Sequence, residues 1–169
     1  MGAGILPVAF FEKNIYFLFS RENMHRNRTV DWRDFGGTPN HNETPRQTAI
    51  REGWEETMGF FGNKSAISKL IKEKTKYVSK KHDKYCLYVV EVKMDKTLPK
   101  RFREHYLKMY KKDKSKIAKN GLYEKDKLRW IKLENLKRNK HLFKSWYYPI
   151  VLDIFEYFNK NIKCKTLAL

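Results

Sequence analysis

Gly36 to Gly59, GGTPNHNETPRQTAIREGWEETMG, is the stretch that decides how this chain reads. It joins a turn at paired glycines to a segment crowded with acids. Thr44 has the residue type of a helix N-cap, Pro45 suits the first helical position, and Gln47 follows the cap at the spacing of a capping box. Gly59 is the expected stop. Helical winding puts Glu52 one turn from both Glu55 and Glu56, so at least two carboxylates share a face. Like charges at that spacing repel, and a helix that keeps them is expected to neutralise them with something outside itself. A divalent metal ion is the natural candidate. Arg51 and Glu55 are also four apart and can pair, which leaves Glu52 and Glu56 as the better ligands. The plain alternative is a solvated acidic face on an amphipathic helix.

The wider spacing weighs against that alternative. Gly37, five residues, Glu43, seven residues, Arg51-Glu52, two residues and Glu55-Glu56 resemble the signature of the Nudix hydrolases, each at its family spacing. Two positions depart from the family pattern. Gly53 stands where an aliphatic residue is usual, which weakens a helix by roughly 0.5 to 1 kcal/mol, with Trp54 as a possible compensation. Thr57 and Met58 also separate the last Glu from Gly59, so the exit turn is expected to differ. Neither departure removes a ligand.

The resemblance implies an α/β fold, a Nudix-like alpha-beta-alpha sandwich with a mixed beta sheet. It also implies a metal-dependent pyrophosphohydrolase using Mg2+ or Mn2+. Glu52, Glu55 and Glu56 would be the catalytic metal cluster, the backbone carbonyl of Gly36 a further ligand, and Glu43 with Arg51 the pair that orients them. The family often adds an acid from a loop ahead of a strand that carries tryptophan. Glu124, six residues before Trp130, is the expected additional metal ligand or general base, with Asp126, Glu104 or none as the alternatives.

At 169 residues, 41% hydrophobic and 15% aromatic, the chain fits one Nudix-like domain over residues 1–169 with a sizeable core. No apolar run approaches a bilayer span, and the start MGAGILPVAFFEKN has no basic region ahead of its apolar stretch. The expectation is a soluble intracellular, cytoplasmic protein with no membrane partner. Cys86 and Cys164 are too few for a disulfide scaffold or a four-ligand zinc centre, and Cys86, in an apolar run, reads as a buried thiol.

Strand alternation is expected over Ile5 to Phe19 with a turn at Glu12 to Asn14, then a polar connection, Arg21 to Arg28, and a short strand over Thr29 to Phe35. A second helix is expected from Ser65 to about Lys72. Tyr77-Val78 and Tyr85 to Val92 read as strands separated by polar Ser79 to Lys84, the second being the best central strand of the chain. Leu98-Pro99 interrupts the pattern. Arg101 to Lys119 can be helical, with Phe102, Tyr106, Met109 and Tyr110 as a partial apolar stripe. A strand over Leu128 to Leu133 and a terminal helix over Pro149 to Asn159 complete the pattern.

The formal charge of +18, from 37 Lys and Arg against 19 Asp and Glu, favours a polyanionic partner over neutral ligands. It is concentrated in a basic insertion at about 93–120, where eleven basic residues face three acids. Free nucleotides do not need a long cationic surface, whereas capped RNA does. The leading substrate is therefore capped RNA, cleaved by mRNA decapping with release of a capped nucleoside diphosphate. A small nucleoside polyphosphate or dinucleoside polyphosphate is the alternative, and a catalytically silent RNA-binding Nudix-like module is the rival from another class. The candidate RNA-binding residues are Arg101, Arg103, Lys108, Lys111, Lys112 and Lys114, with Lys137 to Lys144 beside them. Aromatic Phe102, Tyr106 and Tyr110 can stack on a base or pack the inserted helix.

Overall fold

The computed structural model describes residues 1–23, 31–116 and 122–166, the last segment with side chains to residue 161. Strands β1 (Gly2–Phe11) and β2 (Asn14–Glu22) form the expected hairpin, closed where Phe11 pairs with Asn14. Glu12 and Lys13 make the turn with φ of 48° and 60°, the left-handed pair that matches the twist of the flanking strands. Asn14 Nδ2 donates to the Glu12 carbonyl at 2.8 Å.

Two short strands, β3 (Trp32–Arg33) and β4 (Phe35–Gly37), replace the one strand expected over 29–35, whose first two positions lie outside the described residues. The chain changes partner at Asp34. β3 pairs with β2, whereas β4 crosses to β1 and sets Gly36 opposite Gly4. Helix α1 (Pro45–Glu56) follows with both halves of the capping box formed at Thr44 and Gln47. It ends at Glu56, short of Gly59. The extra residues make the exit turn: Thr57 Oγ1 donates to the Gly53 carbonyl at 2.6 Å, and Met58 and Gly59 take φ of 51° and 74°.

Helix α2 (Lys64–Lys74) leads into the antiparallel hairpin of β5 (Thr75–His82) and β6 (Tyr85–Glu91). The polar run Ser79 to His82 belongs to β5 rather than to a connection. Ser79 is buried and hydrogen-bonds Asp153, while the lysines beside it face solvent on an edge strand, where charge blocks further pairing. Leu98-Pro99 opens helix α3 (Leu98–Lys112) instead of breaking the pattern, because proline fits a first helical turn. Strand β7 (Lys125–Lys132) and helix α4 (Tyr148–Thr166) complete the fold, with short 3-10 turns at Leu133–Asn135 and Lys140–Leu142.

The sheet runs β3-β2-β1-β6-β5, with β4 on β1 and β7 on β2. Only β1 and β6 pair in parallel among the described pairings, so the sheet is mixed. Strand alternation divides the core into two layers. Ala3, Ile5, Cys86 and Val90 face Ala49, Ile67, Leu98 and Phe102 of α1, α2 and α3. Leu6, Val8, Leu87 and Val89 face Ile150, Val151, Ile154 and Phe158 of α4. The mixed sheet therefore lies between helical layers. α3 lies against β7, and its Phe102 and Tyr106 are buried, which removes both rings from stacking on a base; residues 117–120 of the expected insertion lie outside the described residues.

Candidate active site

Helix α1 carries Glu52, Glu55 and Glu56 along one side, and its N-terminus is tied by the capping box, so the carboxylates sit on a rigid element. They open into a cleft of about 600 Å3 lined also by Gly36, Arg51 and Glu124. The second wall comes from β4 and the residues after it, including Gly37, Thr38 and Asn40. A Cβ on Gly37 would stand 2.4 Å from Glu52 Oε1, so the bare glycine is what leaves room for that carboxylate.

Arg51 organises the outer part. Its Nε and Nη2 hold Glu43 at 2.8 and 3.0 Å, and Nη2 also donates to the Thr38 carbonyl at 2.9 Å. Nη1 reaches Glu52 at 2.9 Å and Glu55 at 3.0 Å. The expected Arg51–Glu55 pair is present, but the same guanidinium also holds Glu52. These bonds keep the Glu43 carboxyl down at about 2. Burial pushes Glu52 up, opposed by Arg51 and reinforced by the charges of Glu55 and Glu124.

Glu56 occupies the inner end. Its Oε2 accepts from the Gly36 N–H at 2.7 Å, and its Oε1 lies 3.1 Å from Lys125 Nζ. Lys125 is fully buried and also reaches Glu22 Oε1 at 3.1 Å; Arg33, at the cleft wall, pairs with the same Glu22. Burial raises the Glu56 carboxyl, and Lys125 opposes that rise. Behind Gly36, the buried Asp34 carboxylate accepts from Tyr85 Oη at 2.6 Å.

Glu22, Arg33 and Lys125 are functional candidates that sequence reasoning missed. Alternation in β7 puts Leu128 toward α1 and Ile131 toward α4, and extending it assigns Lys125 to the α4 side. The structure has an irregularity at that point: Arg21 pairs with Lys127 but Glu22 pairs with Lys125, passing over Asp126. A one-residue slip exchanges the faces of a strand, so Lys125 turns toward α1. Its pairing partner Glu22 follows Ser20 and Arg21 and reads in sequence as part of a polar connection, so composition carried no signal for the pair.

The three acids weighed for the additional role are separated. Glu124 lines the cleft, Asp126 is held by Arg21 at 2.6 and 2.8 Å and by Arg103 at 3.1 Å, and exposed Glu104 stands on α3 opposite Lys100. Among the candidate RNA contacts, Arg103 is engaged by Asp126 and Arg101 by Asp95. Lys108, Lys111 and Lys112 are exposed along α3, and Lys114 lies over the Tyr110 ring at 5.2 Å.

Carboxylate oxygens and a glycine carbonyl are the donor chemistry of a hard divalent cation, and the cleft that Glu52, Glu55, Glu56 and Glu124 line has the room for one. Among the described residues no three acids form a ready-made cation cage, and Arg51 and Lys125 pair with the carboxylates of Glu52, Glu55 and Glu56. No helix among the described residues is long and apolar enough to cross a membrane.

No family model matches the chain. A segment is 44% identical over 61 residues to uncharacterized protein L534 of Acanthamoeba polyphaga mimivirus, covering 35% of this chain and only 20% of that protein. In three dimensions the chain is similar to RenU, a Nudix hydrolase from M. smegmatis, with a TM-score of 0.55 at 14% identity over 94% of this chain and 86% of that one. It is equally similar to an Ap4A hydrolase of C. elegans, with a TM-score of 0.55 at 13% identity over 95% and 99% of the two chains. With a mixed sheet between helices and the acid-bearing helix at the cleft, this chain has the fold of the Nudix hydrolases.

Proposed function

We propose that the protein is a metal-dependent pyrophosphohydrolase that cleaves a phosphoanhydride bond in a nucleoside diphosphate joined to another group. The observation that carries this reading is the cleft itself, where Glu52, Glu55, Glu56 and Glu124 face one space with Arg33 and Arg51 on its walls. Those four carboxylates and the Gly36 carbonyl would hold Mg2+ or Mn2+. When bound, such an ion neutralises the diphosphate and lowers the pKa of water. Arg51 keeps Glu52 and Glu55 oriented, and Arg33 lends positive charge to the phosphate side of the cleft. Glu124 is the group we assign to accept the proton of the attacking water. Water adds to one phosphorus, the bridging oxygen leaves with the other phosphate, and one proton is released.

Capped RNA is the substrate we favour. Its support is the excess of positive charge together with exposed Lys108, Lys111 and Lys112 on α3. A dinucleoside polyphosphate is the second reading, supported by the likeness to the Ap4A hydrolase and by the engagement of Arg101 and Arg103 in ion pairs of the fold.

The test compares Mn2+-dependent turnover of cap-labelled RNA, free cap dinucleotide and a dinucleoside tetraphosphate by wild type and Glu52→Gln. Glu52 is the cleaner site for this than Glu56, whose amide analogue would turn a donor toward either Lys125 or the Gly36 N–H. Loss of turnover by about 100-fold or more with an unchanged melting temperature is expected. Full activity in Glu52→Gln removes the proposed centre. RNA-linked cap cleaved no faster than the free dinucleotides removes the decapping assignment and leaves the second reading.

A further inference from the structure

Behind the inner end of the cleft, on the far side of Glu56, lies a cation supplied by the chain. Lys125 is fully buried, and its Nζ stands 3.1 Å from Glu56 Oε1 and 3.1 Å from Glu22 Oε1. A strand irregularity turns it there. Each oxygen of Glu56 therefore has a donor from the protein, Lys125 on Oε1 and the Gly36 N–H on Oε2. Glu52 and Glu55 are engaged from outside by Arg51, a side chain still partly open to solvent. Lys125 has no such access, so its charge acts with little screening on whatever binds beside Glu56.

We infer that Lys125 is a built-in countercation of the carboxylate cleft: it positions Glu56 and, by its charge, limits the affinity and number of divalent cations the cleft takes up. The inference rests on the metal-dependent reading of the same cleft. Two observations favour it over a purely structural ion pair. Lys125 is shared with Glu22, a carboxylate outside the cleft lining, so its charge is divided between an acid that meets substrate space and one that does not. Arg33 leans on the same Glu22. Glu22 thus sets how much positive charge from Lys125 and Arg33 remains for the cleft, and neutralising Glu22 or Lys125 should move metal affinity in opposite directions.

The experiment measures Mn2+ binding by calorimetry and by the paramagnetic resonance of free Mn2+, without substrate, for wild type, Lys125→Met and Glu22→Gln. Lys125→Met is expected to bind the first Mn2+ about tenfold tighter or to bind one more ion, and to gain a larger rise in melting temperature on Mn2+ addition than wild type. Glu22→Gln is expected to bind about tenfold more weakly, since Lys125 then acts on Glu56 unshared and Arg33 keeps only Asp31 as an acidic partner among the described residues. If Lys125→Met does not fold, Glu22→Gln decides alone. Unchanged or tighter binding in Glu22→Gln, or unchanged or weaker binding in a folded Lys125→Met, overturns the inference while leaving the metal reading standing. Absence of saturable Mn2+ binding by wild type overturns both.

Discussion

Glycines decide much of the chemistry at the scale of single residues. Gly53 breaks the aliphatic pattern of the signature, and its reason is packing from the opposite wall: a Cβ there would lie 2.8 Å from Ile5 Cδ1 and 3.3 Å from Ile67 Cγ2. The intrinsic helix weakness of glycine, about 0.5 to 1 kcal/mol, is offset by bringing α1 against β1 and α2 rather than by Trp54, whose ring is half-buried under Lys64. Gly53→Val is therefore expected to destabilise the protein by about 1 to 3 kcal/mol through overpacking. Urea denaturation should show a lower midpoint at unchanged slope. A variant as stable as wild type would mean that the α1–β1 contact has slack.

At the scale of elements, local and tertiary forces agree in α1 and disagree in the first hairpin. α1 has its cap, its proline and its buried face where the local pattern expects them. The β1–β2 turn instead puts two ordinary side chains, Glu12 and Lys13, into left-handed backbone that each disfavours by roughly 1 kcal/mol. The sheet imposes this, because slipping the register by one residue would send Phe17 and Phe19 away from the α4 layer. Glu12→Asn with Lys13→Gly should relieve the turn and raise stability by about 1 kcal/mol. The Lys96–Glu12 ion pair it removes, 3.6 Å long and mostly exposed, offsets little of that gain. Thermal unfolding checks it, and no rise in melting temperature would count against strain in the turn.

Across the whole molecule, charge is distributed as unevenly as packing. Acids of the cleft are countered by fixed Arg51 and Lys125, while the excess of +18 resides largely in exposed lysines, those of α3 among them. Replacing Lys111, Lys112 and Lys114 with Gln is expected to weaken binding of a single-stranded RNA. The slope of log affinity against log salt should become shallower by about two, near 0.7 for each phosphate that the lysines no longer neutralise. Stability and Mn2+ binding should not change, since these side chains touch neither core layer. A salt slope identical to wild type would remove α3 from the RNA-binding surface.

What the sequence determined alone is local: the capped helix, the face on which Glu52, Glu55 and Glu56 gather, and the alternation that sends Ile5 and Leu6 into opposite layers. These follow from periods of 3.6 and 2 and from side-chain bonds spanning three residues, all visible in one dimension. The opening of α3 at Leu98-Pro99 likewise follows a local rule, proline in a first helical turn, although a break was expected there. The partition of the expected strand into β3 and β4 with different partners and the extension of β5 through Ser79 were decided by tertiary pairing and burial. So were the withdrawal of Phe102 and Tyr106 into the core, the commitment of Arg101 and Arg103 to acids of the fold, and the placing of Lys125 beside Glu56. That last pairing joins residues 69 positions apart and depends on one passed-over residue in β7. No local period encodes it, because a strand's facing is set by the register of its neighbour and not by its own composition.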